Sequence, residues 1–336
     1  MKAFVTGATG RIGRLIVEQL LLRGWSLDAF VLPEEDAVFL SQKGVVIFRG
    51  DITDRNSIDR AIEQSNPDVL FHLAAYVQLG ILGDKKSKER MYNVNVNGTH
   101  NVLKSALQHD VKQSVYLSTV AIFGSSGQGS CSINEKTQPH TGNNIGEYGK
   151  TKLLSYQEAM KIQDQGLSLL VFMPGIIFGQ GIPGTISLLN SLYQGKMRRL
   201  PNNYKENSVP LVFSFDLLQA IHAGIERKKF GEKYLLAESI PVPQILAVLT
   251  AIMGKKINIK SISYRKAVLL AWFAENFSKV IGRTPRITTH KVNNSFKVYS
   301  QRFDTSKAKK ELDWKPTPLH EACQLTFDWF LENHLK

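Results

Sequence analysis

Thr6-Gly7-Ala8-Thr9-Gly10-Arg11-Ile12-Gly13 follows directly on the apolar run Lys2–Thr6 and opens into the amphipathic stretch Ile12–Leu22. Strand, glycine-rich turn and helix in that order form a cradle for phosphate. Small residues let the backbone approach a pyrophosphate, and the first amides of the helix point at it. The spacing is GxxGxxG where the commonest dinucleotide fingerprint has GxGxxG, but the strand before it and the helix after it supply the context that the motif requires. Gly7, Thr9, Gly10, Arg11, Ile12 and Gly13 are therefore expected to hold a dinucleotide.

The same alternation continues outward from this turn. Further strands are expected at Ser26–Leu32, Val45–Phe48, Val69–His72, Ser114–Ser118 and Ser168–Met173, with helices at Asn56–Gln64, Lys88–Gln108 and Glu147–Gln163. Near-continuous apolar strands alternating with helices predict a parallel sheet covered on both faces, an α/β doubly wound fold. After Met173 the texture changes, with Gly175, Gly179, Gly181, Pro183 and Gly184 crowded together. Such punctuation marks a loop. The expected division is a dinucleotide-binding domain over 1–175, with return segments within 211–238, and a smaller, discontinuous C-terminal substrate-binding region over 176–336. Strands are expected near Val212–Phe215 and Tyr234–Ala237.

Composition narrows the class. The chain has 336 residues, 43% hydrophobic and 21% charged, as in a globular protein with a full core. Its formal charge is +13, and the basic residues read as scattered groups: Lys85–Lys88, Lys196–Arg199, Arg227–Lys229, Lys255–Lys260 and Lys307–Lys310. None mixes dense Arg and Lys with aromatics in a nucleic-acid motif, so a solvated basic surface is expected and no nucleic-acid partner. Cys131 and Cys323 stand alone, outside any metal-binding spacing, so no metal site is expected. No secretory signal pattern or long apolar run appears, which makes the cytoplasm the expected location and stable membrane insertion unexpected. The segment Ala267–Ile281 places Leu269, Trp272, Phe273, Phe277, Val280 and Ile281 on one helical face. Such a stripe, beside Lys266 and Lys279, could lie on a membrane surface, but burial against the core is the expectation.

Two further features carry chemistry. Tyr148 and Lys152 are four residues apart, on one face of a helix. A free tyrosine has a pKa of about 10, and an ammonium beside it favours the phenolate, making a usable acid or base. Val115-Tyr116-Leu117-Ser118-Thr119 ends a strand at the carboxyl edge of the sheet, where ligands of open α/β folds bind. A hydroxyl there can hold the substrate oxygen that Tyr148 protonates.

With these residues in hand, the chain resembles an extended short-chain dehydrogenase/reductase of the NAD-dependent epimerase/dehydratase superfamily, with a Rossmann sheet. The resemblance runs over essentially the whole length. Gly7, Gly10 and Gly13 match its cofactor turn, Asp51-Ile52 its adenine contact, and His72-Leu73-Ala74-Ala75 its cofactor-lining turn. Asn95 matches the helix asparagine of its tetrad. Counting back from Phe123-Gly124, where the family has Tyr-Gly, puts Thr119 at the catalytic hydroxyl position, with Tyr148 and Lys152 completing the set. Pro174 and Ile177 join the implied cofactor site. Asp304-Thr305-Ser306-Lys307-Ala308 and Leu312-Asp313-Trp314-Lys315-Pro316 resemble its closing motif.

The resemblance implies hydride transfer at a secondary carbon with an NAD(P)(H) cofactor. Tyr148 would pass the proton, Lys152 would hold the ribose and lower the tyrosine pKa, Thr119 would orient the carbonyl, and Asn95 would act at one remove; His72 is given no chemistry. The acidic run Glu34-Glu35-Asp36 at the second strand's end favours NAD, against which Arg11 could reach a 2′-phosphate. Nucleotide-sugar members usually carry an Arg shortly before Asp216, and 207–215 has none; Met173 likewise stands where Arg or Asn is frequent. Tyr76, Leu79, Ile81, Phe178 and Tyr193 suggest an apolar pocket. The look is nearest to dihydroflavonol 4-reductase and 3β-hydroxysteroid dehydrogenase, implying a hydrophobic ketone or alcohol as the small-molecule substrate. Arg198 and Arg199 keep open a nucleotide-sugar epimerase or dehydratase that retains its NAD. A non-catalytic dinucleotide sensor is a minor alternative. A homodimer through the helices at Lys88–Gln108 and Glu147–Gln163 is the family's usual assembly.

Overall fold

A computed structural model describes residues 1–77, 85–124, 132–139, 145–197, 199–255, 260–280, 287–296 and 301–334. The chain begins with β1 (Lys2–Thr6), α1 (Arg11–Leu22), β2 (Ser26–Val31), α2 (Val38–Gln42), β3 (Val46–Arg49), α3 (Arg55–Ser65) and β4 (Val69–His72). It continues through α4 (Lys85–Tyr92), a π turn at Asn93–Gly98, α5 (Thr99–Gln108), β5 (Gln113–Leu117), β6 (Ser132–Ile133), α6 (Glu147–Asp164) and β7 (Leu169–Pro174). Seven parallel strands form one sheet, in which β3, β2, β1, β4, β5 and β7 are joined at the far edge by β11 (Lys233–Leu236). Strand order reverses between β1 and β4, so the loops leaving those two strands diverge and open a crevice at the carboxyl edge.

The strands are apolar on both faces because both faces are covered. Ala3 and Val5 point into one core layer and Phe4 into the other; Phe71 and Leu70, Val115 and Tyr116, Phe172 and Val171 divide the same way. This is the period of two acting inside a fully buried sheet. Helices α3, α5 and α6 seal one side with Ile58, Ile62, Val102, Leu103, Leu153 and Ile162. On the other side lie α1, α8 (Ser214–Glu226) and α12 (Ser306–Leu312), with Trp314, only 1% exposed, as the bulkiest plug. The Trp314 indole N–H donates to the Asp216 carbonyl at 3.0 Å, and the Asp216 carboxylate accepts from Thr317 N and Oγ1. The expected closing motif thus fastens the end of the chain to α8.

The remaining elements are β8 (Ile176–Phe178), α7 (Pro183–Tyr193), β9 (Arg199–Pro201), β10 (Ser208–Phe213), β12 (Glu238–Pro241) and α9 (Val242–Ile252). After them come β13 (Lys260–Ile262), α10 (Tyr264–Val280), α11 (Thr289–Ser295), β14 (Arg302–Phe303) and α13 (Leu319–His334). A three-stranded sheet β12-β10-β8 and the pairs β13–β9 and β14–β6 frame this part. A separate small core joins α7, α9 and α13 through Leu189, Leu192, Leu249, Phe327 and Phe330.

Four expectations change. The helix expected at Lys88–Gln108 is α4 and α5 joined by a π turn, which widens the coil where Asn95 turns inward. The strand expected near Val212–Phe215 is β10, which starts at Ser208 and belongs to the three-stranded sheet; only β11 returns to the large one. Tyr193 packs on Phe327 and Phe330 under the Lys255 ammonium, so it belongs to the small core. The described part of the α10 stripe faces outward: Leu269, Trp272, Phe273 and Phe277 are all exposed, while Ala267 and Ala271 make the packing face, and Ile281 and the Val280 side chain lie outside the described residues. Large side chains cannot enter where the neighbouring helix α11 comes close enough to meet alanine.

Candidate active site

Along the carboxyl edge, the glycine turn lies between β1 and α1. Gly7 has φ +75°, and its amide plane lets Gly10 N donate back to Gly7 O at 3.0 Å. A Cβ placed on Gly13 would sit 2.1 Å from the Gly7 carbonyl oxygen, so no other residue permits this closeness of helix and turn. Gly10 at the N-cap brings no side chain to α1, leaving its first amides to be satisfied from outside. A cradle that a single methyl would fill, backed by uncapped amides, fits a pyrophosphate. Arg11 is exposed at its rim and Ile12 half-buried below.

The adenosine side is bounded by the ends of β2 and β3. Of the three carboxylates Glu34, Glu35 and Asp36, it is Glu35 that reaches the cradle, accepting from Thr9 Oγ1 at 2.8 Å. Asp36 instead caps its own loop by accepting from Val38 N, and Glu34 is exposed. Arg49 braces this loop by donating to the carbonyls of Leu32, Pro33 and Glu35. Asp51 accepts from Thr53 N, and Ile52 is buried beneath Gly98 of the π turn. After β4, Leu73 N donates to Thr6 O and Ala74 lies against Gly7, which brings Leu73-Ala74-Ala75 to the inner wall of the crevice. Pro174 ends β7 in a buried position, and Ile177 is half-buried in β8 beside Val212.

Tyr148 and Lys152 occupy the first turns of α6. The Lys152 side chain is buried at 2% exposure, donates to the Leu117 carbonyl at 2.9 Å and lies 4.7 Å from the Tyr116 ring centre. Tyr148 is half-buried. Burial pushes its phenol above the ordinary tyrosine value, while the Lys152 charge pulls in the other direction. The expected lowering by Lys152 is present, and desolvation exceeds it. Thr119 caps the 3₁₀ turn Val120–Phe123, accepting from Ala121 N at 3.2 Å. It is half-buried, whereas Ser118 immediately before it is buried, its hydroxyl without a partner among the described residues. Of these two neighbours, Thr119 is the one partly open to solvent.

Asn95 is buried, and its side chain is committed to protein partners. Its amide accepts from Tyr76 N at 2.7 Å and donates to Tyr76 O and to Thr151 Oγ1. Thr151 Oγ1 in turn donates to the Tyr148 carbonyl at 2.9 Å, so Asn95 ties the loop after β4 to the first turn of α6. His72 is fully enclosed. Thr99 Oγ1 donates to the Asn95 carbonyl at 2.6 Å and therefore accepts from His72 Nε2 at 2.9 Å, which leaves Nδ1 to accept from Thr6 Oγ1 at 2.8 Å. Burial, aided by the Lys152 charge, holds the imidazole neutral with a pKa lowered to about 3. Thr151, Thr99 and Tyr116 belong to the candidate site and are passed over by motif matching, while Tyr76, expected in the pocket, is held by Asn95. The threonine three places after Tyr148 is the one signal in the sequence that could have marked this brace.

Of the expected pocket residues, Tyr76 faces Arg90 and Phe178 packs on Phe213, while Leu79 and Ile81 lie outside the described residues, as does Arg198. Met173 is a core residue at 1% exposure, so its place beside Pro174 is one of packing. Arg199 is exposed on β9.

Comparison with known proteins bears on the family and the fold. The sequence pattern of the NAD dependent epimerase/dehydratase family matches residues 3–237. Sterol demethylase protein B of Methylococcus capsulatus is 29% identical, over 99% of each chain. The 3 beta-hydroxysteroid dehydrogenase/Delta 5-->4-isomerase of Mycobacterium tuberculosis is 26% identical, over 72% of this chain and 66% of its own. Among solved structures, UDP-glucose 4-epimerase of Thermotoga maritima superposes with a TM-score of 0.77 over the full length of both chains at 21% identity, a likeness of fold. The chain belongs to the NAD dependent epimerase/dehydratase family, as an NAD(P)-dependent enzyme of the extended short-chain dehydrogenase/reductase type.

Proposed function

We propose that this enzyme transfers hydride to or from a secondary alcohol or ketone carbon of a hydrophobic small molecule, with Tyr148, Lys152 and Thr119 as its catalytic residues. The observation that carries this is the buried Lys152 ammonium on the same helix face as Tyr148, donating to the carbonyl of Leu117, two residues before the half-buried Thr119. Bound NAD(P)(H) supplies or accepts the hydride. Tyr148, protonated at rest because burial raises its pKa, donates its proton to the ketone oxygen as that oxygen gains charge. Thr119 Oγ1 holds the same oxygen. The Lys152 charge stabilises the phenolate left behind, which regains its proton from solvent; in the alcohol-oxidising direction each transfer reverses. Asn95 fixes the first turn of α6 and is a positioning residue.

NAD is the proposed cofactor, because the Glu35 carboxylate beside Thr9 can accept from ribose hydroxyls and repels a 2′-phosphate. Thermal unfolding with NAD and with NADP checks it, since a ligand stabilises in proportion to its affinity. A larger rise with NADP overturns the choice and points to Arg11. A hydrophobic substrate is supported by the relatives named for sterol and hydroxysteroid chemistry and by the absence of Arg from 207–215. Alternatively, a nucleotide-sugar epimerase or dehydratase would retain NAD through purification and act on sugars. Screening hydrophobic ketones, secondary alcohols and nucleotide sugars at the absorbance of reduced nicotinamide separates the two. Turnover of nucleotide sugars alone, by protein carrying bound NAD, overturns the proposal. Tyr148→Phe is expected to cut kcat by about 10²–10⁴-fold while cofactor binding persists; retained turnover rejects the proton-transfer role.

A further inference from the structure

We propose that the outer face of α10 seats the enzyme on an anionic lipid surface. Leu269, Leu270, Trp272, Phe273 and Phe277 are 55, 46, 51, 57 and 67% exposed. With 3.6 residues per turn they share roughly 160° of the helix circumference. The opposite side is the anchor: Ala267 and Ala271 pack on Val292 of α11 with Ile262, Val268 and Phe296 around them. The Glu275 carboxylate is turned to that side, accepting from Thr289 N at 2.8 Å. The helix therefore buries its small residues and presents its large ones, the reverse of a helix serving its own core.

Charge says what covers the face. Residues 251–300 contain ten Lys and Arg and a single acidic residue, Glu275, so +9 of the chain's +13 falls in these fifty positions. Arg265 and Lys266 stand at the N-terminal end of the same face of α10, and Lys255, Lys260 and Arg199 are exposed on neighbouring elements of the same subdomain. An apolar arc containing Trp and Phe, edged by cations, matches the boundary between acyl chains and anionic headgroups. A second copy of this face would bring like charges together. No described helix is long and apolar enough to cross a membrane, so α10 lies on the surface it meets.

The inference rests on this surface alone and is independent of the substrate assigned above. Its test is flotation of the full chain with vesicles of phosphatidylcholine and phosphatidylglycerol in equal parts, against pure phosphatidylcholine, at low and high salt. Binding to the anionic vesicles that weakens with salt is expected. The triple variant Trp272→Ser, Phe273→Ser, Phe277→Ser and the double variant Arg265→Glu, Lys266→Glu are each expected to lower partition roughly tenfold or more. Unchanged thermal unfolding, and an unchanged rise in unfolding temperature on adding NAD, would show that the variants keep fold and cofactor binding. Should either variant unfold, the salt dependence and lipid preference of the wild type still decide. Absence of binding to anionic vesicles, equal binding to neutral ones, or binding unaffected by both variants overturns the proposal. So does an oligomer of the wild type that the triple variant dissolves, because a second copy would then be the occupant.

Discussion

Lys152 keeps its ammonium inside the protein with the Leu117 carbonyl and the Tyr116 ring as its polar surroundings. A buried charge is costly unless it is compensated, and this one also lowers the pKa of His72, which stacks on Tyr116. His72 therefore gives a measurable pH signature. Its folded pKa of about 3 lies below the ordinary value of 6.5, so the stability that depends on it is complete above about pH 6.5 and is lost as pH falls. Below that point the unfolded chain takes up a proton that the folded one refuses, at ~1.4 kcal/mol per pH unit. Urea unfolding at about pH 7.5 and about pH 5 should show a steeper loss for the wild type than for His72→Gln, by close to one proton. Equal slopes would mean that the imidazole is protonated in the fold. That Tyr148, Lys152 and Thr119 are candidates was legible in spacing and order. The direction of the Tyr148 shift was not, because it follows from desolvation, and spacing on a helix carries no information about what lies above it.

At the scale of elements, the site depends on how closely α6 approaches the turn after β5. Gly149, next to Tyr148, makes that approach possible: a Cβ there would fall 2.9 Å from the Ala121 carbonyl oxygen and 2.8 Å from Ile145 Cγ1. The first contact is with backbone and cannot yield without moving Thr119 or the helix. Gly149→Ala is expected to destabilise by about 1–3 kcal/mol and to lower kcat by roughly 10–100-fold through misplacement of Tyr148. Thermal unfolding and steady-state kinetics read the two effects separately. Full activity with unchanged stability would show that α6 has room to spare. The π turn before α5 has a similar purpose, since Asn95 reaches both Tyr76 and Thr151 from it. Periodicity predicted one continuous helix there because a single inserted residue hardly disturbs an apolar pattern. Periodicity also located the stripe of α10 correctly, but the side to which it turns depends on alanines meeting α11, which a moment along one helix does not encode.

Over the whole molecule, alternation of strands and helices was enough to forecast a doubly wound sheet, and the order of β1 and β4 places the crevice. The C-terminal elements were less legible, because β8, β9 and β13 are only three residues each and leave little pattern to read. Uneven charge is a property of the same scale: the basic excess looked scattered as short groups and becomes a single region only when summed over 251–300. Assembly is the remaining question at this scale. We propose a homodimer formed by α5 and α6, whose inner faces are committed to the sheet. Along their outer side, His100 meets Glu158 and Lys104 meets Gln165, so many polar groups are already paired within one chain. Leu154 on α6, 39% exposed, is the apolar residue such an interface would cover. Sedimentation equilibrium should give twice the 37.7 kDa of the chain, and Leu154→Glu should return it to one. The charge would have to be desolvated twice at a two-fold interface, so even partial burial makes the substitution decisive. A wild-type protein that sediments as a monomer removes the dimer, and a dimer indifferent to Leu154→Glu places the contact elsewhere on the surface.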